Sequence, residues 1–322
     1  MIEAAWYILP AAFILDFVLG DPGRLPHPVV YMGRSIAFLE GVFRKIFCKP
    51  FAAGVFFAVF LICATYFLAL FLVWAAGWLH PFLGLGIQVL LLFYCFSVKS
   101  LKDAALAVAR PLEAKDMQTA RQKVSMIVGR ETQTLDGAGV TRATVETVAE
   151  NFVDGFLSPL FWALVLGVPG AVAYKMVNTL DSMVGYQNDT YILFGRASAR
   201  IDDAANFIPA RLAVLVIAAA AVFVPPASVG GALKTGFSQG RQHKSPNAGF
   251  PEAAFAGALG IRMGGPGIYH GRQVDKPYIG AVFDDPDISA IDQACRLMQT
   301  AAVTGLLAAM ILAVLKQVAG AG

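Results

Sequence analysis

Lys175 to Leu212 reads KMVNTLDSMVGYQNDTYILFGRASARIDDAANFIPARL. The stretch carries Asn178, Asp181, Asn188, Asp189, Arg196, Arg200, Asp202, Asp203, Asn206 and Arg211, and strongly apolar segments lie on both sides of it. Acids, amides and arginines are costly between membrane-like helices, so they mark a place where something polar or ionic binds. The alternative is a plain polar connector between two membrane helices.

Composition supports the membrane reading. The 322 residues are 57% hydrophobic and 15% charged, with a mean hydropathy of +0.63, where soluble domains carry about 25% charge. A net charge of +3 is too small to argue for nucleic acid. Cys48, Cys63, Cys95 and Cys295 lack metal-ligand spacing and read as buried thiols. Glu3 and the absence of a basic n-region make the N-terminus a first membrane helix rather than a secretory signal.

Outward from the central stretch, apolar segments fall near 4–20, 51–79, 82–98, 156–174, 207–228 and 300–319. The expected fold is an all-α, polytopic helical membrane domain running 1–322, with broken or re-entrant helices and cytoplasmic helical and loop regions. The three polar regions, 21–50, 99–155 and 230–299, hold nearly all the lysine and arginine outside the central stretch, so all three should be cytoplasmic and the N-terminus outside. Gly167, Pro169 and Gly170 break the 156–174 segment, and 213–224 is short. That favours re-entrant segments there, with the central stretch on the cytoplasmic side.

Three prolines, Pro22, Pro26 and Pro28, predict a rigid extended turn presenting Asp21, Arg24 and His27. Asp103 to Val128 reads as helical, and a helix resumes at Thr141. In that helix Glu146, Glu150 and Asp154 recur every four residues, drifting only ~40° per step, so they read as one acidic face. The face is either simply solvated or set against a cation.

Asp202, Asp203 and Asn206 lie within about one helical turn, and Asn178, Asp181 and Ser182 repeat that spacing upstream. Carboxylates with amides near arginines suit Mg²⁺ shared with phosphate oxygens. Arg196, Arg200 and Arg211 suit a forked clamp on phosphate or carboxylate, or else neutralise Asp202 and Asp203 as ion pairs. The loops 245–249, holding Asn247, and 264–267 are glycine-bearing candidates for anion approach, but no P-loop or dinucleotide fingerprint occurs. His27, His243 and His270 have no i,i+4 partner and read as hydrogen-bonding groups rather than metal ligands.

The motifs then add up. They are D-x-x-x-G-D-P from Asp16 to Pro22, P-H-P-V from Pro26 to Val29 with Gly33, and V-G-R from Val128 to Arg130. A-E-N-x-x-D-G runs from Ala149 to Gly155, followed by Pro159-Leu160-Phe161, and Y-K-M-V-N-T-L-D-S-M-V-G-Y from Tyr174 to Tyr186. Phe194-Gly195, S-A-R-x-D-D from Ser198 to Asp203, and P-A-R-L from Pro209 to Leu212 come next. S-P-N-A-G-x-P from Ser245 to Pro251 and G-G-P-x-x-Y-H-G from Gly264 to Gly271 complete the set. In these motifs, over most of its length, the chain resembles the adenosylcobinamide-phosphate synthase family of cobalamin-biosynthesis membrane proteins. Glu131 departs from the Asp expected after Gly-Arg and keeps the charge.

The resemblance implies a multi-pass protein of the bacterial cytoplasmic (inner) membrane. The implied reaction is an ATP-dependent amide ligation that joins a propionate of adenosylcobyric acid to (R)-1-amino-2-propanol O-2-phosphate or a related aminoalkanol. It implies ATP and Mg²⁺ as cofactors, the corrinoid as substrate, a lipid surround, no nucleic acid, and other cobalamin-biosynthesis membrane proteins as candidate partners. Physical roles follow for such chemistry. Asp202, Asp203 and Asn206 would hold the metal; Arg130, Lys175, Asn178, Arg196, Arg200, Arg211, Asn247 and His27 would bind substrate or phosphate; Glu146, Glu150, Asp154 or Asp181 would serve catalysis, for example by taking the amine proton. The rival classes are a Mg²⁺-dependent membrane phosphotransferase or prenyltransferase, which lacks its D-G-x₂-A-R and N-D-x-x-D signatures here, and a transporter with a site at a broken helix.

Overall fold

The computed structural model describes residues 6–21, 27–186, 188–269 and 272–320. The extended turn expected across Pro22 to Pro26, with Arg24, lies outside them, as do the start of the first helix and His270.

Twelve α-helices account for most of the described chain: α1 Ile8–Leu19, α2 Pro28–Ile46, α3 Pro50–Leu79, α4 Pro81–Phe93, α5 Val98–Glu113, α6 Met117–Ser125, α7 Gly137–Phe152, α8 Ser158–Val184, α9 Arg196–Ala221, α10 Val229–Gln239, α11 Gly249–Leu259 and α12 Ser289–Gly320. Five helical segments, Pro50–Leu79, Pro81–Glu113, Gly137–Val184, Arg196–Ala221 and Ser289–Ala319, are long and apolar enough to cross a membrane. Ile8–Leu19 is apolar and shorter. The protein is an all-α, multi-pass membrane protein.

Two compact units emerge. The first comprises Met1–Ser97, Asp154–Asn206 and Leu306–Gly322, and the second Val98–Val153 and Phe207–Gly305.

In the first unit α8 packs against α2, α3 and α4, and its segment is the most deeply buried of the five spans. By contrast α3 turns Phe56, Phe60, Phe67, Trp74 and Trp78 outward while Phe57 is fully buried. Lipid tails are as apolar as leucine, so helices associate here by close van der Waals packing. Gly54 on α3 shows how: its Cα lies against the Phe194 carbonyl, where any Cβ would collide. Pro50 and Pro81 open α3 and α4, each at a first-turn position, where a missing N–H costs nothing.

The expected break in 156–174 is present. Gly167 adopts φ 73° inside α8, a conformation open to glycine without strain, and Pro169 follows. The run after it is longer than its apolar core implied, since α9 is 26 residues without interruption. The charged Arg196–Asn206 segment is its first part, because arginine and alanine are strong helix formers.

The second unit holds α5, α6, α7, α10 and α11 with two small antiparallel pairs. β1 (Met263–Gly264) pairs with β4 (Tyr278–Ile279), and β2 (Gly267–Tyr269) with β3 (Arg272–Val274). The single helix expected over Asp103 to Val128 is two. Lys115 takes φ 58°, and Asp116 restarts the chain by accepting from Thr119 N at 3.0 Å, a standard N-cap. Likewise Asp136 caps α7 through Gly139 N at 2.7 Å, so that the helix starts at Gly137, four residues ahead of the expected resumption near Thr141. Cys95 and Cys295 are buried as expected, but Cys48 and Cys63 are exposed. Cys63 sits on α3, whose outer face meets lipid and so buries no thiol within the protein.

Candidate active site

Glu146 and Asp154, expected on one acidic face, have different partners. α7 ends at Phe152 and Val153–Leu157 is a π-turn, a feature that recurs at functional sites. Gly155 in this turn accepts from Ser97 N at 2.9 Å.

Asp154 enters a buried network in the first unit. Tyr174 Oη lies 3.2 Å from Asp154 Oδ1, and Asn178 Nδ2 donates to Asp154 Oδ2 at 3.2 Å. Tyr174 Oη also reaches Asn206 Oδ1 at 2.8 Å, and Ser158 Oγ donates to the same oxygen at 2.6 Å. Asn206 Nδ2 then donates to Asp202 Oδ2 at 3.1 Å. The chain of contacts runs Asn178, Asp154, Tyr174, Asn206, Asp202, with Ser158 joined at Asn206. Asp202 Oδ1 is buried with no hydrogen-bond partner. Asp181 lies within electrostatic reach of both Asp154 and Asp202. An apolar cavity of ≈310 Å³, lined by Ile62, Trp162, Gly170, Ala173, Tyr174 and Ile201 among others, flanks the network.

Positions on α9 sort its charges. Ser198 and Asn206 are buried, and Arg196 and Arg200 are exposed. Asp203 projects about 100° round the helix from Asp202 and lies within electrostatic reach of Arg200 and of Asp181. Asn206 was expected as a metal ligand. Its oxygen instead accepts two hydroxyls and its amide faces Asp202, so it orients Asp202. Lys175 faces Asp154 electrostatically. His27 caps α2, with Nδ1 accepting from Val29 N at 3.2 Å and Nε2 at 3.4 Å from Asp21. That cap ties one ring nitrogen to the backbone.

The second unit gathers the other expected residues. Glu146 accepts from Arg130 Nη2 at 2.6 Å on one oxygen and from Gly264 N at 2.6 Å on the other. Each oxygen has one protein donor, and Arg130 is engaged in the same pair. Glu150 is exposed. Arg211 donates to Phe207 O at 2.6 Å and Asn247 Oδ1 at 3.3 Å, and stacks on the Phe207 and Phe250 rings at 3.5 and 4.3 Å.

One residue of this unit escaped the sequence reading, and it lies beside His243, read there as a hydrogen-bonding group. Glu252 is 5% exposed, and its Oε1 lies 4.0 Å from His243 Nε2. Burial, then the nearby Glu146 and Glu150, push the Glu252 carboxyl well above its usual range. Burial, then Lys276, push the His243 imidazole down to about 4. The ring is accordingly neutral, with Nδ1 accepting from Ser245 N at 3.0 Å. The signal for Glu252 was its place as a lone acid in the apolar run Phe250 to Leu259. Tyr174 and Ser158 had weaker signals, since each is flanked by apolar residues.

The family model described as CobD/Cbib protein matches residues 9–298. A cobalamin biosynthesis protein CobD from Klebsiella pneumoniae is 44% identical over 310 residues, 94% of each chain. A cobalamin biosynthesis protein CbiB from Salmonella choleraesuis is 43% identical over 311 residues, 95% of this chain and 96% of the relative. A CobD from Photorhabdus laumondii is 43% identical over 286 residues, 87% of this chain and 88% of the relative. No solved structure matches the chain. The chain belongs to the CobD/CbiB family of cobalamin biosynthesis proteins.

Proposed function

We propose that this protein is an ATP-dependent acid–amine ligase of the bacterial inner membrane, an adenosylcobinamide-phosphate synthase. It joins a propionate carboxylate of adenosylcobyric acid to the amine of (R)-1-amino-2-propanol O-2-phosphate. One carboxylate, one ammonium and ATP give one amide, ADP, phosphate and a proton. Family membership supports the pathway, and the carrying observation for the chemistry is the buried polar network of the first unit. It sets acids, amides and a phenol among spans where such groups are otherwise excluded.

The network fits a magnesium ion through one feature, the buried and unpartnered Oδ1 of Asp202. No group of three His, Cys, Asp or Glu is placed to hold a metal among the described residues. Magnesium bound with nucleotide phosphates needs only one or two carboxylates. When bound it supplies charge neutralisation at the phosphoryl oxygens. Asp202 would hold it, with further oxygens from the same face.

The chain's own residues supply the rest. Asp154 is the one member of the expected acidic face inside the network, and its place there suits it to take the amine proton. Tyr174 and Asn178 hold its two oxygens in place. Exposed Arg196 and Arg200 suit phosphate or carboxylate by forked hydrogen bonds. The apolar cavity beside Tyr174 excludes water that would compete with the amine.

The test is purified protein in detergent with adenosylcobyric acid, aminopropanol phosphate and Mg-ATP. The expected result is phosphate release in step with a corrinoid whose mass has grown by the amide-linked aminopropanol phosphate. Product formed equally well without nucleotide would overturn the ATP-dependent reading.

A further inference from the structure

Hydroxyls inside the helices of this protein usually bond back to the carbonyl four residues earlier. Thr144, Thr147, Thr179 and Ser238 do so at 2.6–2.9 Å. Ser198 on α9, like Thr141 on α7, does not. It is 2% exposed, and its Oγ has no hydrogen-bond partner. A buried hydroxyl left this way is costly.

Asp202 stands four residues on in α9 and therefore on the same face. Its Oδ1 is the other buried oxygen of this helix without a partner. Arg196 and Arg200 lie on the opposite, exposed side, so neither neutralises this face directly.

What lies across from the pair follows from two contacts. Gly195, just before α9, abuts the Val184 carbonyl at the end of α8. Tyr174 of α8 meets Asn206 of α9 at 2.8 Å. The two segments therefore run antiparallel, and at 1.5 Å rise per residue Asp181 comes level with Ser198. Asp181 is steadied there, since its Oδ1 and carbonyl pack over Gly185, where a Cβ would collide.

Two orphaned oxygens and a facing carboxylate are an oxygen-only donor set, which suits a small hard cation. We propose that Ser198 Oγ, Asp202 Oδ1 and the carboxylate of Asp181 are the protein ligands of one divalent cation, with Asn206 behind Asp202 as a positioning residue. This rests on the magnesium part of the reading above and replaces Asp203 and Asn206 in it.

The experiment uses the full chain in detergent, without nucleotide or corrinoid, and Mn²⁺ as the probe, followed by electron paramagnetic resonance with Mg²⁺ competition. Wild type is expected to bind one Mn²⁺ that Mg²⁺ displaces. Ser198→Ala and Asp181→Asn should each weaken Mn²⁺ by about tenfold or more, whereas Ser198→Thr should bind like wild type. Melting curves establish that each variant is folded. Wild-type Mn²⁺ affinity in Ser198→Ala, or no Mn²⁺ bound by wild type, overturns the site. A protein that binds Mn²⁺ as described but forms no amide would refute the ligase reading and leave the site standing. Amide formation by wild type that binds no Mn²⁺ would do the reverse.

Discussion

The two units treat buried charge in opposite ways. In the second, Glu146 has both oxygens satisfied, by Arg130 and by the Gly264 amide, and the pair is largely shielded from solvent. In the first, Asp202 has one oxygen held by Asn206 and the other left bare. A closed pair fixes a loop to a helix. An open carboxylate in a dry setting is an incomplete shell that a ligand completes. The number of acids in a region is therefore a poor guide to chemistry, and the state of each oxygen is a better one.

Breaking the closed pair should have the largest effect on stability. Arg130→Met leaves Glu146 buried without its cation, which should cost about 3–5 kcal/mol. The check is thermal unfolding in detergent, and a loss under about 1 kcal/mol would mean that the pair is solvated and the second unit is not closed.

The next effect sharpens the same unit through pH. His243 is held down at about 4, against ~6.5 unfolded. Its folded pKa is depressed, so its contribution is fully present above pH ~6.5 and is lost as pH falls toward 4. The loss should amount to on the order of 3 kcal/mol. Glu252, with its pKa raised, runs the other way: its contribution is complete below the unfolded carboxylate range and is lost as pH rises through the folded value. Melting temperature followed from pH 7 to pH 4 should fall less in His243→Gln than in wild type. Parallel curves for the two proteins would contradict the assignment.

A smaller effect probes the open network. Tyr174→Phe removes a hydroxyl shared by Asp154 and Asn206 and should cost about 1–2 kcal/mol by melting. No change would indicate that those acceptors find water instead. The smallest belongs to the surface. Arg262→Gln breaks an exposed bridge to Asp285 and should change stability by under about 1 kcal/mol; a larger loss would make that bridge part of the closed cluster.

Much of the fold was legible because hydrophobic runs and proline punctuation survive any context. Apolar residues 51–79 became helix Pro50–Leu79, bounded by prolines that open it and its successor. The division at Lys115 was not legible, since its left-handed turn is closed by backbone bonds from Lys115 N to Leu112 O and Asp116 N to Pro111 O; the N-cap potential of Asp116 was the available hint. The four-residue spacing of Glu146, Glu150 and Asp154 could not reveal that Glu146 pairs with Arg130 and the Gly264 amide while Asp154 meets Tyr174 and Asn178, because those partners are distant in sequence. Within the candidate site, Asp202, Asn178 and Asp154 stood out as polar groups between apolar runs. Ser158 and Tyr174 did not, because a serine or tyrosine beside apolar residues is ordinary until its hydroxyl is seen to meet Asn206. Ser198 was visible inside S-A-R-x-D-D, four residues before Asp202, but spacing alone could not reveal that its hydroxyl lacks a partner.

The central claim is that chemistry lies at the open carboxylate of the first unit and structure at the closed one of the second. Asp202→Asn and Glu146→Gln, assayed side by side for amide formation and for melting, test it most directly. The account expects Asp202→Asn to melt at or above the wild-type temperature while losing about a hundredfold or more in turnover. It expects Glu146→Gln to melt several degrees lower and to keep its turnover per folded molecule. Near-normal turnover in Asp202→Asn, together with a stable but inactive Glu146→Gln, would contradict it.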